Sequence, residues 1–265
     1  MRENRAYHDR IAARYDQIYD SEYWRFYRDL SWRHLKAFLP TTRPALAADL
    51  GCGTGWFGRR LLRAGFSTVF LDPSISMLEQ ARQGVAGEAQ RSLESRFVQA
   101  GLEDMAEIED DSLDFATAQG DPLSFCADPD QALAELHRTL RVGAVAVLSV
   151  DNRCAGVRTL LDEQSLDEAL DLLRTGRTEW RAQRREERFG MKMFDAHELE
   201  NLLQRRGFAV ESQIGKTCII QRRHQELLAD KDARKRCLQA ELSVHHKPHW
   251  WALASHLQFA ARKLG

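Results

Sequence analysis

The sequence predicts an α/β fold in which a doubly wound, mostly parallel sheet carries helices on both faces. Three observations carry that prediction. Between residues 45 and 150, short apolar runs alternate with stretches of helical spacing, the pattern of strand–helix–strand units. One strand-to-helix turn is dense in glycine, Asp49-Leu50-Gly51-Cys52-Gly53-Thr54-Gly55-Trp56-Phe57-Gly58. Acidic and amide residues recur where the predicted strands stop, and open α/β sheets hold their ligands at those carboxyl ends.

Taken in order, residues 5–39 have helical spacing and are rich in aromatics: Tyr7, Tyr15, Tyr19, Tyr23, Trp24, Phe26, Tyr27 and Trp32. They predict a helical pair packed on the main domain, ended by Pro40 to Pro44. Strands are expected at 46–50, 68–71, 96–99, 113–118 and 144–150, with helices at 56–64, 74–84 and 128–140. Residues 152–195 are long for a simple connection and contain an amphipathic segment, Leu166 to Leu173. Asp195 is then an N-cap, with Glu198 completing a capping box. The helix 196–206 closes at Gly207, and a strand follows over 208–214. A basic helical stretch covers 222–242, and residues 255–261 form the last strand. The implied division is a helical cap, 1–44, and a core domain, 45–265, with insertions at about 152–195 and 220–253 forming a substrate lid.

The glycine turn has a physical purpose. Without a Cβ the backbone can approach a ligand closely, and the unsatisfied N–H groups of the following helix start point at it. Gly53-Thr54-Gly55-Trp56-Phe57-Gly58 matches G-x-G-x-x-G, and Asp72 lies about 20 residues on, at the end of the next strand. The combination points to a cofactor that contains a nucleoside. Asp49, just before the first glycine, is awkward beside a pyrophosphate and suits a ligand carrying an ammonium and a sulfonium.

Asp49-Leu50-Gly51-Cys52-Gly53-Thr54-Gly55 resembles the first motif of class I S-adenosylmethionine-dependent methyltransferases, and Val69-Phe70-Leu71-Asp72-Pro73-Ser74-Ile75-Ser76-Met77 resembles their second. Within that superfamily the chain is most similar to the UbiE-like, type 11 small-molecule group. Ala13-Arg14-Tyr15-Asp16 resembles the end of the A-x-x-Y-D segment with which such enzymes cap the cofactor. The resemblance implies a Rossmann-like, seven-stranded sheet whose last strand lies antiparallel at the edge. It also implies S-adenosyl-L-methionine as cofactor, S-adenosyl-L-homocysteine as product, and contacts from Tyr15, Tyr7 and Tyr19.

The glycines Gly51, Gly53 and Gly55 are then expected along the cofactor, with Asp49 near its methionine part. Asp72 offers two acceptor oxygens to the ribose diol. Ser76 and Met77 flank the adenine, while Gln119 and Gly120 lie by the methionine carboxylate and sulfonium. The third element departs from the family pattern, because Gly101 stands where relatives carry an acid. The amide of Leu102, or Glu103, is left to meet the adenine.

Methyl transfer needs positioning more than a catalytic triad. For orienting a nucleophile the sequence offers Asp151 and Asn152 at a strand end. His245, His246 and His249, ahead of Trp250 and Trp251, are candidates for a base, His245 foremost. His137 reads as a helix-surface residue. Asp121-Pro122-Leu123-Ser124-Phe125 distantly resembles the Asp/Asn-Pro-Pro-aromatic motif of amino-group methyltransferases on nucleic acids, and equally suits a tight turn capped by Asp121.

Composition bounds the function further. The chain has 265 residues, is 43% hydrophobic and carries a formal net charge of −1, so no global field favours nucleic acid. Basic residues cluster at Arg177 to Arg188 and Arg222 to Lys235. Glu179, Glu186, Glu187, Asp230 and Asp232 interrupt them, as on solvated helix faces. Cys52, Cys126, Cys154, Cys218 and Cys237 are too scattered for a zinc site or a disulfide framework, so no metal is expected and a reducing compartment is. Neither a signal peptide nor a membrane span is indicated, which predicts a cytoplasmic protein. The expected acceptor is a small molecule methylated on oxygen, nitrogen or carbon. An RNA- or protein-directed methyltransferase, an NAD(P)-binding oxidoreductase and a non-catalytic methyltransferase-fold subunit remain open.

Overall fold

Apolar runs too short for a helix become strands, and the segments of helical spacing between them pack on both faces. The computed structural model describes residues 2–87, 93–180 and 188–265. The N-terminal region forms α1 (Arg2–Ile11), the single turn α2 (Tyr15–Ile18) and α3 (Glu22–Lys36). The core follows with β1 (Leu46–Leu50), α4 (Trp56–Arg63), β2 (Ser67–Leu71), α5 (Ile75–Ala86) and β3 (Ser95–Val98). Then come β4 (Leu113–Ala118), α6 (Pro129–Thr139) and β5 (Leu140–Asp151). The stretch after β5 holds α7 (Arg153–Asp162), α8 (Leu166–Thr175) and the hairpin of β6 (Arg177–Trp180) and β7 (Phe189–Lys192). The chain ends with α9 (Ala196–Arg205), β8 (Phe208–Lys216), α10 (Lys231–Val244), α11 (Pro248–Trp251) and β9 (His256–Lys263).

Seven strands form one sheet in the order β3-β2-β1-β4-β5-β9-β8. The pairs among β3, β2, β1, β4 and β5 are parallel, and β9 is antiparallel to both β5 and β8. The antiparallel strand thus lies at the expected end of the sheet, one place in from the rim, with β8 outside it. Alternating side chains supply two cores, as the two-residue repeat of a strand requires. Ala47 and Phe115 pack with Leu35, Phe57 and Leu61 from α3 and α4. Ala48 and Ala116 pack with Leu133, Leu136, Leu199 and Leu203 from α6 and α9.

Local signals set several boundaries. Ser74 caps α5 by accepting from Met77 N–H, Asp128 caps α6, and Asp195 accepts from Glu198 N–H to start α9. Only that half of the expected capping box forms, because the Glu198 carboxylate pairs with Arg153 and Lys192 instead. The 222–242 stretch divides into a 3-10 segment, Arg222–Leu228, and α10. It is not wholly a solvated face, since Arg234 pairs with Glu22 and Asp29 of α3. Of the other basic cluster, residues 181–187 lie outside the described residues. The five cysteines are free thiols, and no described helix is long and apolar enough to cross a membrane.

Candidate active site

The carboxyl ends of β1, β2, β4 and β5 open into one cavity of about 220 Å³, roofed by α1, α2, α3 and the β6–β7 hairpin. A single water needs only about 10–15 Å³ of such space, so a sizeable ligand fits. At one end the β1–α4 turn forms a cradle. Gly51 and Gly53 line it with φ of +66° and +53°, a left-handed conformation that side chains resist. A Cβ on Gly51 would also lie 2.5 Å from Pro122. Asp72 faces the cradle from β2. One of its oxygens accepts from Gly53 N–H at 2.8 Å and the other from Ser74 N–H at 2.9 Å. Each keeps a second lone pair for a ligand hydroxyl. Burial pushes the Asp72 carboxyl up to about 6.

Leu102, Glu103, Gln119 and Gly120 complete this end. The Gln119 amide nitrogen donates to Val147 O, while its buried Oε1 has no partner. That orphaned acceptor, the two-toothed Asp72 carboxylate and the glycine cradle fit a nucleoside with a vicinal diol and a tail bearing an ammonium.

The other end has a charged floor built by strand pairing. Asp151 closes β5, His256 opens β9 and Lys216 closes β8, and the register sets His256 directly between the other two. Asp121 follows β4 in a left-handed conformation, φ +67°, next to Gly120 at +81°. Nδ1 of His256 lies 2.8 Å from Asp121 Oδ2 and 3.7 Å from Asp151 Oδ1. Burial opposes charge on His256, but the two carboxylates outweigh it and its pKa is raised. Burial also opposes charge on Asp121, where His256 and Lys216 prevail and hold the carboxyl below its usual range. Asp151, buried and next to Asp121, is pushed up to about 7. Lys216 is fully buried and lowered to about 8, with its ammonium 4.2 Å from the centre of the Tyr27 ring. Asp121, Asp151 and His256 each place one potential ligand atom within 4.8 Å of the others, a spacing that suits a metal ion. The Lys216 ammonium sets a competing positive charge beside it.

The roof is aromatic. Rings run from His256 to Tyr27, Trp24, Tyr19 and Tyr15 with centroid separations of 5.0, 5.4, 5.0 and 4.7 Å. A second group joins Tyr7 of α1 to Phe189 and Trp180 of the hairpin and to Phe125.

The structure therefore gathers Tyr15, Gly51, Gly53, Asp72, Leu102, Glu103, Gln119 and Asp151 around one space, with Tyr7 and Tyr19. Several expected residues are not among those lining it, Ser76 included, whose N–H donates to Asp9 of α1 at 3.3 Å. Asp49 is buried behind the turn, where its carboxylate accepts from Gly58 N–H at 2.7 Å. Gly55 faces α5 and β2, and a Cβ there would lie 3.0 Å from Ala81. Met77 packs beneath α1 with Ile11 and Ala12. Asn152 is a helix cap, accepting from Cys154 N–H and donating to the carbonyls of Trp251 and Ala254. His245 ends α10, where its carbonyl accepts from Gly215 N–H and from the Trp251 indole. His246 and His249 are exposed, and His137 packs edge-on against Phe208. Of the expected lid, Trp180 and Phe189 line the cavity, whereas no residue of 220–253 does. Sequence reasoning passed over His256 and Lys216. The available signal was that an antiparallel last strand begins where parallel strands end.

Residues 47–143 match the family model of a methyltransferase domain. The chain is 33% identical over 115 residues to the malonyl-[acyl-carrier protein] O-methyltransferase of Pseudescherichia vulneris, covering 43% of this chain and 42% of that one. With the enzyme of the same name from Salmonella typhimurium it shares 30% over 143 residues, covering 48% and 53%. The chain thus spans about half the length of the curated relatives it matches. Among solved structures, a SAM-dependent methyltransferase from Methanosarcina mazei superposes with a TM-score of 0.63 at 19% identity, covering 87% of this chain and 97% of that one. Phosphoethanolamine N-methyltransferase 2 of Haemonchus contortus, in complex with S-adenosyl-L-methionine, superposes at 0.56 and 18% identity, covering 89% and 53%. Likeness at these identities establishes the fold.

Proposed function

We propose, from the premise that this chain belongs to the class I S-adenosylmethionine-dependent methyltransferases, that it methylates a small molecule held under its N-terminal helices. The observation that carries this reading is the sharing of one cavity by a cradle suited to the cofactor and a separate polar floor beneath aromatic walls. When bound, S-adenosyl-L-methionine supplies an electrophilic methyl carbon on a sulfonium. The chain's own residues bind and orient. Asp72 receives the ribose hydroxyls, the Gly51–Gly53 backbone lies along the cofactor, Leu102 and Glu103 border the adenine, and Gln119 Oε1 accepts from the methionine ammonium. Tyr15 and the roof exclude water. Fixing two reactants at near-attack distance supplies several kcal/mol of the barrier reduction, at least about 7 in favourable cases.

A cavity roofed by helices and a net charge of −1 favour a small acceptor over RNA or a protein. Titration calorimetry with S-adenosylhomocysteine tests the reading. Binding is expected, and Asp72→Ala should weaken it at least about tenfold, since hydrogen bonds to a charged group are worth roughly 1.5–3 kcal/mol. No binding by the wild-type protein sinks the reading. Unchanged affinity of the variant removes the ribose from Asp72.

A further inference from the structure

We propose that His256, held against Asp121, is the base that takes the proton of a hydroxyl on an aromatic acceptor, a phenol or an enol, lying among Tyr19, Trp24 and Tyr27. The inference rests on the methyltransferase reading and names the acceptor class at that site. Its first support is geometric. Nδ1 of His256 faces the two carboxylates, so Nε2 is left without a protein partner among the described residues while the ring lines the cavity. A carboxylate close behind one imidazole nitrogen and the cavity before the other leave that second nitrogen placed to act as a general base.

The second support is the balance of charge. The groups facing His256 are Asp121 after β4, Asp151 from β5, Lys216 from β8 and Tyr27 from α3. Asp121 is held ionised below the usual carboxylate range, Asp151 lies at about 7 and Lys216 at about 8, so the carboxylates strengthen the neutral His256 imidazole as a proton acceptor while the Lys216 ammonium offsets part of their charge. Such a floor suits an acceptor whose hydroxyl proton has to be removed before its oxygen attacks. A carboxylate acceptor is already ionised and needs no base. The third support is the wall, since Tyr27 stands 5.0 Å from His256 and 5.4 Å from Trp24, both edge-on, a setting for a flat ring.

In the step, the acceptor O–H bond breaks and its proton goes to Nε2 of His256. The oxygen forms a bond to the methyl carbon of S-adenosylmethionine, and the carbon–sulfur bond breaks with its electron pair left on sulfur. The products are an aryl or enol methyl ether, S-adenosylhomocysteine and an imidazolium that returns its proton to solvent.

The test uses 4-nitrophenol, whose ionisation is visible in its absorption, titrated into protein saturated with S-adenosylhomocysteine at a pH where the free probe is mostly protonated. Wild-type protein is expected to bind the probe and raise its phenolate band. His256→Gln is expected to keep S-adenosylhomocysteine affinity and lose the band. In turnover of the same phenol, His256→Gln should lose about 100-fold or more, a gap that narrows as rising pH ionises the phenol unaided. No binding of 4-nitrophenol, a band equally strong in His256→Gln, or a turnover loss independent of pH overturns the proposal. If wild-type protein fails to bind S-adenosylhomocysteine, the parent reading falls. If it binds and the band does not depend on His256, this inference alone falls.

Discussion

Asp49 shows how one buried carboxyl can serve a site it does not touch. It is 1% exposed, and its contact is with the N–H of Gly58 in the first turn of α4. That bond holds the helix start against β1 and so sets the backbone path from Gly51 to Gly55. Burial raises its pKa from an ordinary carboxyl value to about 8. Folding therefore favours the protonated form, and the stability that Asp49 contributes is greatest at low pH and is lost as pH rises through about 8. Asp49→Asn keeps an oxygen for the Gly58 N–H and never ionises. Its melting temperature should thus gain on the wild type as pH is raised from about 6 to 9. A difference that stays constant over that range would show that the carboxyl is not held protonated. The sequence placed this acid correctly before the turn, but an apolar strand end reads the same whether its last carboxyl faces a ligand or a neighbouring helix.

At the scale of elements, the glycine turn divides its work. Gly51 and Gly53 border the cavity, while Gly58 lets α4 settle on β2: a Cβ there would lie 2.1 Å from the fully buried Phe70 ring. Gly58→Ala is expected to destabilise by about 1–3 kcal/mol or more in urea unfolding. Gly87→Ala, at the end of α5 with φ of −85° and nothing within 4 Å of its Cβ, should be neutral or stabilising by up to about 1 kcal/mol. Equal effects would mean that helix–strand contact does not depend on Gly58. Strand positions were legible because burial on both faces writes a short apolar run into the chain, as at Val69-Phe70-Leu71. The cradle was legible because its glycines and Asp72 are local to two strand ends. The floor was not, because His256 and Lys216 acquire neighbours only when β9 enters the sheet antiparallel between β5 and β8. Asn152 and His245 misled for the converse reason: polar residues at element ends resemble catalytic ones until their cap bonds are seen.

Across the whole molecule, the N-terminal helices close the cavity over both of its ends, and they are tied differently at each. Over the cradle the ties are two hydrogen bonds and a small apolar cluster of Ile11 and Ala12 on Met77. Asp16 accepts from the Thr54 hydroxyl at 2.6 Å, and Asp9 accepts from the Ser74 hydroxyl at 2.5 Å. Over the floor the contacts are the edge-on rings of Trp24 and Tyr27. Asn4, Arg5, Tyr7, His8, Tyr15 and Tyr19 all line the space, so a nucleoside cofactor bound in it gains contacts with this cap. A terminal segment held by so few hydrogen bonds and one small apolar cluster belongs to the low-stability end of a fold, where local opening is frequent. Binding should shift that local equilibrium, because the closed form holds the ligand and the open form does not. Amide hydrogen exchange over residues 2–19 is therefore expected to slow when S-adenosylhomocysteine binds, with little change in α9 and β8. If exchange in that segment is unaltered while calorimetry shows binding, the helices are a fixed wall and the cofactor enters by another route.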